Sequence, residues 1–281
     1  MQIIDVPLNE VYPQLPKVGD TPILRAYLHK VGCRVEESHV YPAMLICPGG
    51  GYAILSEREA EPTALEFFTR GFNCFVLHYT CKPNGYHPCQ LMQAAAAVHR
   101  IRTDPEWNNS GKVSVIGFSA GGHLAGHIAT RWHEPFLSQM FGCDPETLRV
   151  NALILSYAVT VFGAESHRGS FENLVGPEGT EEDCAKLDLR NFIDPAYTPP
   201  TFLWHTEVDD AVPMEDALIM AAALKKAGVP LELHVFPGGD HAVSLCNRVT
   251  GGRPLTRDPY LRRWLDMVMA WETHLMPGEF D

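Results

Sequence analysis

The chain has 281 residues, with 22 lysines and arginines against 34 aspartates and glutamates, a formal charge of −12. Such a surface repels phosphate backbones and anionic lipid, which argues against nucleic-acid and membrane partners and leaves neutral substrates open. Apolar residues make up 46% of the chain, enough for a sizeable core, and the length suits one α/β domain over 1–281 with at most a modest insertion.

Met1 to Asp5 holds no basic segment leading into a long apolar stretch, so no signal peptide is expected. No apolar run is long enough to span a bilayer. The eight cysteines are scattered without a C-x-x-C pair, and Cys47 and Cys74 fall inside predicted buried strands. That pattern reads as reduced thiols in a cytoplasmic protein.

In chain order, residues 1 to about 20 carry Pro7, Pro13 and Pro16 and read as an irregular or edge segment. Ile23–Leu28 reads as an early strand. Ala43–Cys47 is a second, ending in Pro48-Gly49-Gly50-Gly51-Tyr52, where three glycines let the backbone turn sharply and expose its amides. Ser56-x-x-Glu59 has the spacing of a capping box, with a helical pattern running to Arg70 that becomes regular only at Pro62. Asn73–His78 reads as a strand and Pro88–Arg102 as an alanine-rich helix. Lys112–Ile116 is a β-branched strand leading into Gly117-Phe118-Ser119-Ala120-Gly121 and a further helix, and Val150–Tyr157 is the next strand.

From 158 to 200 the strand–helix rhythm is lost. An excursion this long is expected to be a lid-like or binding insertion. It contains His167-Arg168-Gly169-Ser170-Phe171 and an acidic patch at Glu181-Glu182-Asp183. Thr201–His205 reads as a strand, Pro213–Lys226 as a helix closed by Gly228, Leu231–Phe236 as the last strand and Asp258–His274 as the last helix. Strands alternating with helices predict an α/β fold, with a mostly parallel central sheet covered by helices on both faces.

Strand, G-x-S-x-G, helix is the form of a nucleophile elbow, which lifts the central serine clear of the backbone at the mouth of a sheet. A serine hydroxyl needs a base within hydrogen-bond reach and an acid to orient that base. With Ser119 as nucleophile, the acid belongs after a later strand, where Asp209 and Asp210 stand, and Asp209 is favoured. The base belongs after the last strand, where His241 follows Pro237-Gly238-Gly239-Asp240. His234 lies within a strand pattern and His274 at the end of a helix, so both are set aside. His123, one turn after Ser119, is expected to pack behind the elbow, and His78 and His205 at strand ends either border the pocket or belong to the core. For an oxyanion, the amide of Ala120 is one donor, and Gly51 or Gly50 supplies the other. Tyr52, His167, Arg168 and Phe171 are the candidate substrate-binding residues, with Tyr52 and Phe171 offering apolar faces to a sugar; Trp204, in mid-strand, is expected in the core. The glycine loop is not followed by G-K-[ST], so a nucleotide P-loop is not expected. No metal-ligand spacing occurs, and neither metal nor cofactor is expected.

With elbow, glycine loop, Asp209-Asp210-x-Val212-Pro213 and late histidine in order, the sequence resembles the α/β-hydrolase superfamily along nearly its whole length. Within it, the chain is similar to bacterial acetyl xylan esterases and related carbohydrate esterases. The resemblance is carried by Pro48–Tyr52, Ser56–Pro62, Gly117–Ala125, His167–Phe171, Thr198–Thr206 and Val229–Pro237. It implies a Ser119, Asp209, His241 triad. It also shows two departures: Ala242 stands where relatives usually have glycine, and Val208 where they often have an acidic or small residue.

The expected activity is that of a serine carboxylesterase acting through an acyl-enzyme on short, acetyl-type esters, with sugars or xylo-oligosaccharides as the alcohol. Two alternatives stand beside it: a peptidase or amidase like the prolyl-oligopeptidase type, and a hydrolase-like binding protein without catalysis. The expected partner is a small ester substrate, and the sequence leaves oligomeric state open.

Overall fold

The computed structural model describes residues 1–30, 39–163, 166–251 and 257–280. Its strands are β1 (Gln2–Pro7), β2 (Ile23–Leu28), β3 (Tyr41–Cys47), β4 (Asn73–His78), β5 (Asn109–Phe118), β6 (Ala152–Ser156), β7 (Thr201–Thr206) and β8 (Leu231–Phe236). The helices are α1 (Leu8–Val11), α2 (Glu61–Phe68), α3 (Cys89–Thr103), α4 (Ala120–Arg131), α5 (Pro135–Phe141), α6 (Arg168–Val175), α7 (Glu181–Lys186), α8 (Glu215–Ala227) and α9 (Arg263–Leu275). The proline-marked start of the chain forms the edge strand β1, and α9 begins at Arg263 rather than Asp258. Residues 158–200 hold α6, α7 and a 3₁₀ turn at Leu189–Phe192. Both helices are short, eight and six residues, which leaves at most two turns in which a period could be legible.

The eight strands form one sheet in the order β1-β2-β4-β3-β5-β6-β7-β8. β1 pairs antiparallel with β2, and β2 with β4; every other pairing is parallel. Successive side chains of a strand face opposite ways. Ala43, Leu45 and Cys47 of β3 thus join a core with residues of α3, α4 and α8, while Met44 and Ile46 join a second core with α2 and α9. This is why the parallel strands read as continuous apolar runs rather than alternating ones. Trp204 of β7 stacks on Trp264 of α9 at 4.8 Å between ring centroids. Burying a side chain of this kind contributes roughly 1.5–3 kcal/mol.

Sheet order places the loops that matter. The loop after β3 lies beside the turn after β5, and the loops after β7 and β8 are neighbours, with the end of β6 between the two pairs. All of these are carboxyl ends of parallel strands, where ligand chemistry gathers in open α/β sheets.

Candidate active site

Ser119 follows β5 and precedes the first residue of α4, with φ 53° and ψ −124°. A non-glycine residue in that region is strained, and the strain is held by neighbours that allow no relaxation. A β-carbon on Gly121 would overlap the carbonyl oxygens of Cys47 and Pro48. Glycine is therefore required where α4 meets the end of β3. The turn aims the Ser119 hydroxyl at His241, whose Nε2 lies 2.9 Å from Oγ. On the other side of the ring, Nδ1 lies 2.7 Å from Asp209 Oδ2.

Asp209 sits three residues past β7 with its side chain sealed from solvent. Its Oδ1 accepts the amides of Ala211 (3.0 Å) and Val212 (2.8 Å), fixing the carboxylate as the chain turns. His205 Nε2 lies 2.9 Å from the Val212 carbonyl and 3.4 Å from Asp209 Oδ2. Burial pushes the Asp209 carboxyl up, but hydrogen bonds from His205 and His241 outweigh burial and hold it well below the usual carboxylate range. An ionised acceptor at Nδ1 requires the proton to sit there, which leaves Nε2 free to accept from Ser119. Asp210 is exposed and lacks this position.

The glycine loop closes the other side. A β-carbon on Gly49 would stand 3.0 Å from Ser119 Cβ, so the loop lies directly against the serine. Gly50 and Gly51 have φ of 123° and 63°. The amide of Ala120, first in α4, has no acceptor within its own helix. The serine therefore stands between amides that can hold a negative oxygen and an imidazole that can take its proton.

The structure corrects two of the four candidate substrate contacts. Tyr52 and Phe171 are each 1% exposed, so neither offers a face to a sugar. The Tyr52 hydroxyl lies 2.9 Å from His123 Nδ1, and Phe171 packs edge-on against His123 and Phe162. Burial lowers His123 to about 4, so its ring is neutral: Nδ1 accepts from Tyr52, and Nε2 donates to the Leu187 carbonyl at 2.8 Å. His123 thus packs behind the elbow and ties residues around 187 to α4.

His167 and Arg168 are each partly exposed. His167 Nδ1 lies 2.8 Å from Ser170 Oγ, and its ring approaches Gly51 to 3.9 Å, measured to the position of an added β-carbon. Burial lowers its pKa. Arg168 pairs with Glu181 at 3.2 Å and lines an open groove of about 550 Å³ and mixed character with Lys82, Tyr86, Glu172, Asn173 and Val175. Asn173 joins that groove to the glycine loop by donating from Nδ2 to the Gly51 carbonyl at 2.8 Å.

Glu59 has a place that sequence reasoning missed. Ser56 makes no side-chain cap, and its amide donates to the Gly49 carbonyl. The Glu59 side chain turns inward, 1% exposed, and accepts from Gly49 N–H at 2.9 Å and from the Tyr157 hydroxyl at 2.8 Å. Burial pushes its carboxyl up against the opposing pull of these donors. Glutamate three residues after serine fits a cap equally well, and only the inward turn of the chain distinguishes the two roles. Among the described residues no group of three or more His, Cys, Asp and Glu side chains converges as a metal site.

Comparison with known proteins places the fold and the family. A family model described as BD-FAE matches residues 33–224. The chain is 35% identical to an endo-1,4-beta-xylanase B of Butyrivibrio fibrisolvens, over 82% of this chain and 36% of that one. It is 28% identical to an acetylxylan esterase of Xylanibacter ruminicola, over 85% of this chain and 48% of that protein. The chain spans about a third to a half of the length of these curated relatives. Among solved structures, an acetyl ester-xyloside bifunctional hydrolase from Caldicellulosiruptor lactoaceticus superposes with a TM-score of 0.82 at 30% identity, covering 99% of this chain and 97% of that one. On the family match and the shared architecture, the chain belongs to the BD-FAE family and has the α/β-hydrolase fold.

Proposed function

We propose that the protein is a carboxylic ester hydrolase that works through Ser119, with short acyl esters of sugars or xylo-oligosaccharides as substrates. The observation that carries this reading is the unbroken relay from Ser119 Oγ through His241 to Asp209, beside the glycine loop. His241 Nε2 takes the serine proton as Oγ attacks the ester carbonyl. The carbonyl oxygen becomes negative and meets the Ala120 amide and that of Gly50 or Gly51. The imidazolium, steadied by ionised Asp209, then gives its proton to the leaving alcohol, and an acyl-serine remains. Water deprotonated by the same histidine attacks the acyl-serine, releasing the acid and restoring the hydroxyl.

The sugar alcohol is supported by two relatives, one an acetylxylan esterase and one an acetyl ester-xyloside bifunctional hydrolase. It also fits the groove past Asn173, where Lys82, Arg168 and Glu172 supply polar groups and Tyr86 a ring. His167 and Arg168 are the proposed contacts on the alcohol side, and the helices of residues 158–200 are the proposed cover of the site.

The test compares wild type with Ser119→Ala on short p-nitrophenyl esters and acetylated xylo-oligosaccharides. Loss of the nucleophile is expected to lower kcat by about 10⁴–10⁶. Equal turnover by the two proteins overturns the reading.

A further inference from the structure

We infer that Glu59 is a positioning residue that holds the oxyanion loop and the histidine loop in fixed relation, one carboxylate oxygen for each. The inference rests on the serine-hydrolase reading above. Oε2 accepts the amide of Gly49, the residue that packs against Ser119 and leads into Gly50 and Gly51. Oε1 accepts the Tyr157 hydroxyl, and that same hydroxyl accepts the amide of Ser244, three residues after His241. The Tyr157 ring stands edge-on to the His241 imidazole, with centroids 5.3 Å apart. The glycine loop and the histidine loop follow β3 and β8, which do not touch in the sheet. Tyr157, just past β6, lies between them, and Glu59 completes the bridge.

Other bonds on the same turn reinforce the clamp. The Ser244 hydroxyl donates to the Arg58 carbonyl at 2.7 Å, and Trp264 Nε1 donates to the Ser244 carbonyl at 3.0 Å. The histidine loop has reason to need holding. Ala242, Ser244 and Cys246 all have positive φ, at 60°, 49° and 51°. Such residues keep strained conformations only where surrounding structure over-determines them. Without the carboxylate, the loop carrying His241 and the loop carrying the oxyanion amides relax independently, and catalysis is lost through their mutual misplacement.

Glutamine cannot replace glutamate here. With its amide nitrogen toward Gly49, two donors face each other. With the nitrogen toward Tyr157, the hydroxyl proton loses its acceptor. A buried donor is orphaned either way.

The experiment measures kcat, KM, melting temperature and the rate of Ser119 labelling by a fluorophosphonate in wild type, Ser119→Ala, Glu59→Gln and Tyr157→Phe. For Glu59→Gln we expect kcat to fall ~10²-fold with KM within about 3-fold of wild type, as for a displaced oxyanion donor. For Tyr157→Phe, which keeps the ring, a fall of about 10-fold is expected, with labelling slowed in the same proportion in both variants. Folded variants with kcat within about 2-fold of wild type overturn the inference, as does a loss carried by KM alone. Melting of both variants below the assay temperature also overturns it, by making the role one of stability. Failure of the serine-hydrolase reading looks different, because wild type itself then neither turns over esters nor labels.

Discussion

Two adjacent aspartates follow β7, and the difference between them shows how a site is settled residue by residue. Neighbouring side chains point different ways, so the turn at Ala211 and Val212 decides which carboxylate meets His241. It is Asp209, closed from solvent and 2.7 Å from Nδ1, while Asp210 faces water. Asp209→Asn is therefore expected to cut kcat by about 10³–10⁴, because the imidazole loses the anion that fixes its tautomer. Asp210→Asn is expected to leave kcat within about 2-fold, and steady-state kinetics on one short ester decides both. A larger loss at 210 than at 209 overturns the assignment. The placement of Ser119, Asp209 and His241 was legible in the sequence because chain order and strand ends constrain it. The inward positions of Tyr52 and Phe171 were not, since an aromatic side chain reads alike whether it lines a pocket or fills a core. What decides the matter is the buried His123 to which each is packed or bonded.

At the scale of elements, the site depends on how closely α4 approaches the ends of β3 and β5. The strand-to-helix turn was legible, because a β-branched run ending in G-x-S-x-G has few other readings. The turn at Glu57–Glu59 was not, because its spacing is also that of a helix cap, and the choice is made by acceptors and donors distant in sequence: Gly49 and Tyr157. Helices α6 and α7 were hidden for a different reason. They are only eight and six residues long, and α6 docks through Phe171 and Leu174 together with the Asn173 tie to Gly51, too few apolar positions to mark a period across two turns. The approach of α4 is testable at Gly121. An added methyl there meets two backbone carbonyls, and neither can swing aside as a side chain does. Gly121→Ala is expected to cost about 3 kcal/mol in urea unfolding, at the upper end of ordinary overpacking. Its remaining folded fraction is expected to lose kcat, because displacing α4 moves the Ala120 amide. Unchanged stability and turnover contradict the packing described.

Across the whole molecule, buried ionisable groups respond to pH in opposite senses. On the α9 face, Glu272 is fully buried, with Oε2 receiving the Ser114 hydroxyl at 3.1 Å and Oε1 without a hydrogen-bond partner among the described residues. Burial pushes its carboxyl up to about 8, from an unfolded value of 4.5. Between those values the folded state binds the extra proton, so stability falls as pH rises and the cost is complete above about 8. On the opposite face, burial lowers His123 and His87 to about 4. Their unfolded forms take up protons first, so stability there falls as pH drops from 6.5 towards 4. The two slopes oppose each other in the acid range, but above the unfolded histidine value only the glutamate slope of this set remains. The comparison over about pH 6.5 to 8 rests on Glu272→Gln, which keeps the side-chain shape while removing that one titration and leaving those of Glu59 and Asp216, also raised by burial, in both proteins. Wild-type stability is expected to decline across that interval more steeply than the variant's. The gap widens towards an upper bound of about 5 kcal/mol for the whole shift, given that one pKa unit is worth about 1.36 kcal/mol. Urea unfolding at half-unit pH steps gives the comparison. Parallel curves for the two proteins mean that Glu272 titrates near its ordinary value and that water reaches the interface of α9 with β5.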